Sequence, residues 1–121
     1  MKQYVTVLLE MQTQLKILHW QTKSFAQHEA FGKTYDELAD LIDEFVEVNT
    51  GKKGRFQLGK SDVVELQNYN PTTMTGFIDS SIDFLINMNG ILDPKKDSDL
   101  LNIRDDMLGS FNKLKYLLTL S

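Results

Sequence analysis

Apolar residues recur in steps of three and four along four separate stretches of this chain, a periodicity that confines it to an all-α arrangement. The first stretch passes through Tyr4, Leu8, Met11, Leu15 and Leu18, and predicts a helix from Tyr4 to about Thr22. A second passes through Phe31, Tyr35, Leu38, Ile42 and Phe45. Ser24 followed by Gln27 predicts a capping box at its start, and Gly51 predicts its end, with Lys52 and Lys53 beside the negative pole of the helix. The third is expected from about Thr73 to Leu92, burying Ile78, Ile82, Leu85 and Leu92, with Pro71 just before its start and Pro94 beyond its end. The fourth is capped by Asp97 or Ser98 and carries Leu100, Met107, Phe111, Leu114 and Leu118.

Connection lengths choose the topology. The first two helices, and the last two, are separated by a handful of residues each, which makes each pair an antiparallel hairpin. Residues 51–72 are too many for an ordinary loop, yet at about 3.3 Å per extended residue they can travel the length of a helix. One long crossover between two helical hairpins predicts a ferritin-like antiparallel four-helix bundle, formed as a single domain over residues 1–121. Within the crossover, Ser61 to Gln67 is expected to form a short extra helix, because Ser61 can cap it and Val63, Val64 and Leu66 give it an apolar side.

Composition narrows the chemistry. The chain has no cysteine, so a metal would have to be held by histidine, carboxylate or water. Seventeen acidic against thirteen basic residues give a net charge of −4, which argues against DNA binding. The basic cluster of Lys52, Lys53, Arg55 and Lys60 reads as helix-dipole compensation and a solvated loop. The apolar run from Val5 to Leu9 is closed by Glu10 and is too short to cross a membrane, so a soluble, cytoplasmic protein is expected. There is no phosphate-cradling glycine loop.

The two histidines of the chain flank the first turn: His19 beside Trp20, and His28 in the opening turn of the second helix. Asp43 and Glu47, four residues apart, project from one face further along that helix. His28 and Asp43 are separated by about 22 Å of helix at 1.5 Å per residue, so one chain cannot bring them to one ion. Two chains packing these helices antiparallel about a two-fold axis would form two mixed sites, each with two imidazoles and two carboxylates, a donor set suited to iron(II) or zinc. The plainer expectation for Asp43 and Glu47 is a solvated acidic face, since Asp36, Glu37, Asp40 and Glu44 surround them.

The pattern His19-Trp20, His28-Glu29, then Tyr35, Glu37, Leu38, Leu41, Ile42, Asp43 and Glu47 resembles the Dps proteins, the starvation-induced mini-ferritins, and most closely the short members carried by large phages and other viruses. Weaker likeness continues through Asn70-Pro71 and the helix from Asp97 to Leu120. The resemblance implies a homo-oligomer with an iron ferroxidase site shared across a dimer interface, His19 and His28 from one subunit meeting Asp43 and Glu47 of the next. The sequence departs from that pattern in a shorter step between the histidines, in Gly32 where an acidic residue is common, and in lacking a lysine-rich tail. A second reading keeps the bundle and its dimer surface without metal chemistry, as a non-catalytic structural or interaction protein of a phage or virus. The di-iron signature Glu-x-x-His is absent.

Overall fold

A computed structural model describes residues 2–120. Four helices form: α1 (Tyr4–Gln21), α2 (Phe25–Lys53), α3 (Pro71–Asn87) and α4 (Ser98–Leu117), with single 3₁₀ turns at Met88–Gly90 and Leu118–Leu120. The described residues include no strand. Most of each predicted stripe is buried, but α3 stops at Asn87 rather than about Leu92, which is buried beyond the 3₁₀ turn, and Ile82 and Leu118 are half-buried. Leu8, Met11, Leu15 and Leu18 of α1 meet Phe31, Leu38, Ile42 and Phe45 of α2, Ile78 and Leu85 of α3, and Leu100, Met107, Phe111 and Leu114 of α4 in one core. Each fully buried large side chain contributes about 1.5–3 kcal/mol.

Contacts at the helix ends set the directions. His19 meets His28 where α1 turns into α2. The Tyr4 ring lies 6.2 Å from Phe84, so the start of α1 meets the end of α3. Lys52 pairs with Asp99 at 2.8 Å while Ser110 donates to Glu37 at 2.9 Å, which runs α4 antiparallel to α2. Lys52 and Lys53 also flank the buried Asp97 at 3.4 and 3.3 Å, so the last turn of α2 and the first of α4 neutralise one another's poles. Buried Arg104 donates to the Leu85 carbonyl and to Asn89, closing the end of α3 on α4.

Several boundaries differ from expectation. Gly51 does not end α2; the helix runs on to Lys53 and stops at Gly54, whose φ of +87° a side chain would resist. Pro71 is not outside α3 but in its first turn, where a missing N–H costs nothing, and Asn70 is the cap, accepting from Thr73 N–H at 2.9 Å. Only half of the capping box forms. The Ser24 hydroxyl accepts from Gln27 N–H, whereas the Gln27 side chain turns to the Thr22 and Tyr69 hydroxyls.

The expected helix at Ser61–Gln67 is absent, and distance explains why. Asp62 is anchored beside Gln3 and Thr6, and Tyr69 beside Gln21. Those anchors are separated by about 25 Å of helix rise, so seven residues must each advance about 3.5 Å, full extension for a peptide and more than twice the rise of a helix. Residues 62–69 therefore form an extended strap running alongside α1 in the same direction, entered through a turn at Lys60 and Ser61.

Candidate functional site

The α1–α2 corner brings His19 and His28 together. Their rings stack with centroids 3.8 Å apart and planes 17° from parallel. His19 Nδ1 lies 2.7 Å from the His28 carbonyl oxygen, and His28 Nδ1 lies 2.8 Å from that of His19. A carbonyl oxygen only accepts, so each Nδ1 carries the hydrogen and donates, leaving the neutral ring's Nε2 as an acceptor. The pair is thus a reciprocal clasp across the turn. Gly32 makes room for it: a Cβ there would lie 2.9 Å from His19 Cε1 and 3.0 Å from Nδ1. The glycine that departs from the Dps pattern is the residue that allows the ring to lie flat on α2.

The clasp also limits what the imidazoles can hold. An Nε2 lone pair lies in its ring plane, and two nearly parallel stacked planes do not meet at one point about 2 Å from both nitrogens. The two rings do not converge on a single ion. Asp43 and Glu47 are exposed on α2, far along the helix from the clasp. Among the described residues no three histidine, aspartate or glutamate side chains come together in a geometry that could hold a metal ion.

Around the clasp the surface is aromatic and cationic. Trp20 and Phe25 are 66% and 77% exposed, while Phe31 is fully buried in the core, as its place on the apolar stripe predicts. The Lys16 ammonium sits 4.6 Å from the centre of the Tyr35 ring and 5.6 Å from that of Trp20. Lys23 and Lys33 are exposed nearby on the sequence. Further along α2, Asp36, Asp40, Asp43, Glu44 and Glu47 are all exposed, and none forms an ion pair among the described residues.

The strap carries a second polar system that periodicity did not suggest. Glu10 accepts from Glu65 N–H at 2.9 Å, Gln14 accepts from Gln67 N–H at 2.8 Å while donating to its carbonyl at 2.9 Å, and Gln21 accepts from Tyr69 N–H and donates to Asn68. At its foot, Asp62 accepts from Gln3 N–H, Gly59 N–H and the Thr6 hydroxyl. These bonds, the Gln3 main chain foremost, hold its carboxyl well below the usual carboxylate range. The signal lay in the sequence as Gln3, Glu10, Gln14 and Gln21, a polar stripe one position off the apolar one. Between the strap, α1 and α3 lies a groove of about 570 Å³.

The family of unknown function DUF5856 matches the chain over residues 19–118. An uncharacterized 14.6 kDa protein from the mobD-ri intergenic region of Enterobacteria phage T4 is 33% identical over 119 residues, spanning 98% of this chain and 87% of its own length. That relationship agrees with the expected likeness to phage-carried chains; neither match names a Dps or ferritin-like protein. No solved structure matches the chain.

Proposed function

We propose, from the premise that the chain belongs to the DUF5856 family, that it is a non-catalytic helical interaction protein of a phage, ferritin-like in topology, working in the host cytoplasm by pairing with a second copy of itself. The observation that carries this reading is the division of the α1–α2 surface into a cationic, aromatic corner and an acidic middle stretch of α2, ahead of the lysines at 52 and 53 that pair with α4. Trp20 and Phe25 are large apolar side chains left open to solvent, the kind that centre protein contacts. Lys23 and Lys33 lie toward the same corner, and the exposed carboxylates of Asp36, Asp40, Asp43, Glu44 and Glu47, none in an ion pair among the described residues, follow along the middle of α2. Two copies with α2 antiparallel about a two-fold axis set the corner of each against the acidic stretch of the other.

Sedimentation of the purified chain tests this. A dimer is expected at low salt, weakened as salt screens the charges, and converted to monomer by Trp20→Ala with Phe25→Ala. A monomer at all salt concentrations would sink the reading.

One observation favours a second reading, the shared iron site. Both imidazoles donate from Nδ1 to main-chain carbonyls, the outer-shell arrangement that orients a metal-ligating histidine and leaves Nε2 for the ion. In this reading each ring of the His19–His28 pair takes its own ion, iron(II) or zinc in its place, completed by Asp43 and Glu47 of the second copy. Because α2 carries crowded carboxylates, such a dimer would tighten when cations are present. Anaerobic iron(II) titration followed by peroxide, with light scattering on the same sample, separates the readings. Saturable binding and rapid oxidation, both lost in Asp43→Ala with Glu47→Ala, would establish the ferroxidase. Both substitutions fall on exposed, unpaired side chains, so they leave the fold intact.

A further inference from the structure

We infer that Lys16 is the positioning residue of the α1–α2 corner: its ammonium, held over the rings of Tyr35 and Trp20, sets the Trp20 indole in the orientation in which it meets a second copy of the chain. The inference rests on the self-pairing proposed above and names a residue on which its affinity depends. Trp20 lies in the last turn of α1, which ends at Gln21, and most of its side chain is exposed. A helix end frays, and burial does little to hold a side chain that open. Lys16 stands one turn earlier, at the i to i+4 spacing that makes helical side chains neighbours. Its Nζ lies 5.6 Å from the centre of the Trp20 ring and 4.6 Å from that of Tyr35. Both distances fall within the about 6 Å over which a ring face attracts a cation.

Tyr35 gives this bridge a fixed end. It is half-buried on α2 and packed against the core, so the ammonium is tied to the rigid hairpin. Lys16 is half-buried as well and enters no ion pair among the described residues, which leaves the two ring faces as partners of its charge. The contacts from Tyr35 through Lys16 to Trp20 thus run from the core out to an exposed aromatic. An anchor already in place gives up less rotamer freedom on association than one that must be ordered there. The charge is the essential part, because a neutral tip on a similar stem would cover the rings without the electrostatic attraction.

The test uses the fact that Trp20 is the one tryptophan of the chain, so tryptophan fluorescence reports on this side chain. Time-resolved anisotropy is measured on the full chain at a concentration too low for pairing, and sedimentation at low salt gives the dimer dissociation constant of the same proteins. In the native chain the indole should turn with the whole molecule. It should gain a fast local motion in Lys16→Met, which keeps a stem and loses the charge, and in Tyr35→Leu, which keeps the charge and loses its platform. Both variants should weaken the dimer about twofold to fivefold, the range that a cation–π contact at an exposed site supports. Lys16→Arg keeps a cation over the rings and should restore the slow indole and the native affinity. The inference alone is overturned by a freely moving indole in the native chain, by an equally ordered one in Lys16→Met, by failure of Lys16→Arg to restore it, or by undiminished pairing of Lys16→Met or Tyr35→Leu. A native chain that stays monomeric at low salt would overturn self-pairing, and this role with it.

Discussion

Helix α1 is held on two sides in two different ways. Toward α2 it presents Leu8, Met11, Leu15 and Leu18 to a continuous apolar seam that ends in the histidine clasp. Toward the strap it presents Glu10, Gln14 and Gln21, which satisfy the main chain of an otherwise unstructured segment. The seam is non-directional and gains from every buried atom. The lacing is directional and gains little net free energy per bond, but leaving it half made is expensive. The difference teaches that the hairpin of α1 and α2 supplies stability, whereas the lacing supplies position: it fixes where the strap runs.

The largest effect is expected from breaking the seam. Phe31 is fully buried, and Phe31→Ala should cost about 3–5 kcal/mol in urea unfolding, enough to threaten the fold. Breaking the lacing should cost less and act locally. Gln14→Leu keeps the bulk of a 3%-exposed side chain but strands both main-chain groups of Gln67, at about 1–3 kcal/mol. Amide exchange should then quicken at Glu65, Gln67 and Tyr69 while α2 stays protected; uniform quickening would mean that seam and lacing are one unit. Smaller still is Gly32→Ala. Alanine gains about 1 kcal/mol in helix propensity but pushes on a ring fixed by stacking and by its Nδ1 bond, and the overpacking should outweigh that gain by about 1 kcal/mol. Loss of the NMR signal of the hydrogen-bonded His19 Nδ1 proton would report the displaced ring. Unchanged stability with the proton retained would show that the clasp tolerates the methyl.

The seam was legible in the sequence because burial leaves a period of three and four, and those stripes placed all four helices within a few residues. The clasp was half legible. His19 and His28 could be placed at one corner, but not stacked, because ring orientation depends on the main-chain carbonyls across the turn and on the absence of a Cβ at Gly32. The lacing was not read at all. Ser61 to Gln67 has local features of a helix, yet its ends are tied to points too far apart for one, and that constraint lives in tertiary hydrogen bonds rather than in local propensity. Gly54 in place of Gly51 as the end of α2 follows the same logic, since the lysines at 52 and 53 are drawn on by Asp97 and Asp99.

The mildest test addresses the foot of the lacing. Helix α1 has no acidic residue in its first turn, and Asp62 supplies one from the strap, accepting from Gln3 N–H and the Thr6 hydroxyl beside the positive pole. Its carboxyl is held well below the unfolded value of about 4, so the stabilisation is fully present above that value and declines as pH falls through the folded one. Asp62→Asn should therefore be less stable than the native chain at pH 7, and the gap should narrow from about pH 5 downward. Asp93, Asp97 and Asp99 are also lowered and lose their stabilisation in acid, but they do so in both proteins, so the difference between the two unfolding curves isolates Asp62. A gap that stays constant with pH would mean that the strap is fastened by the shape of its turn around Gly59 and Asp62, with the charge contributing nothing to where α1 begins.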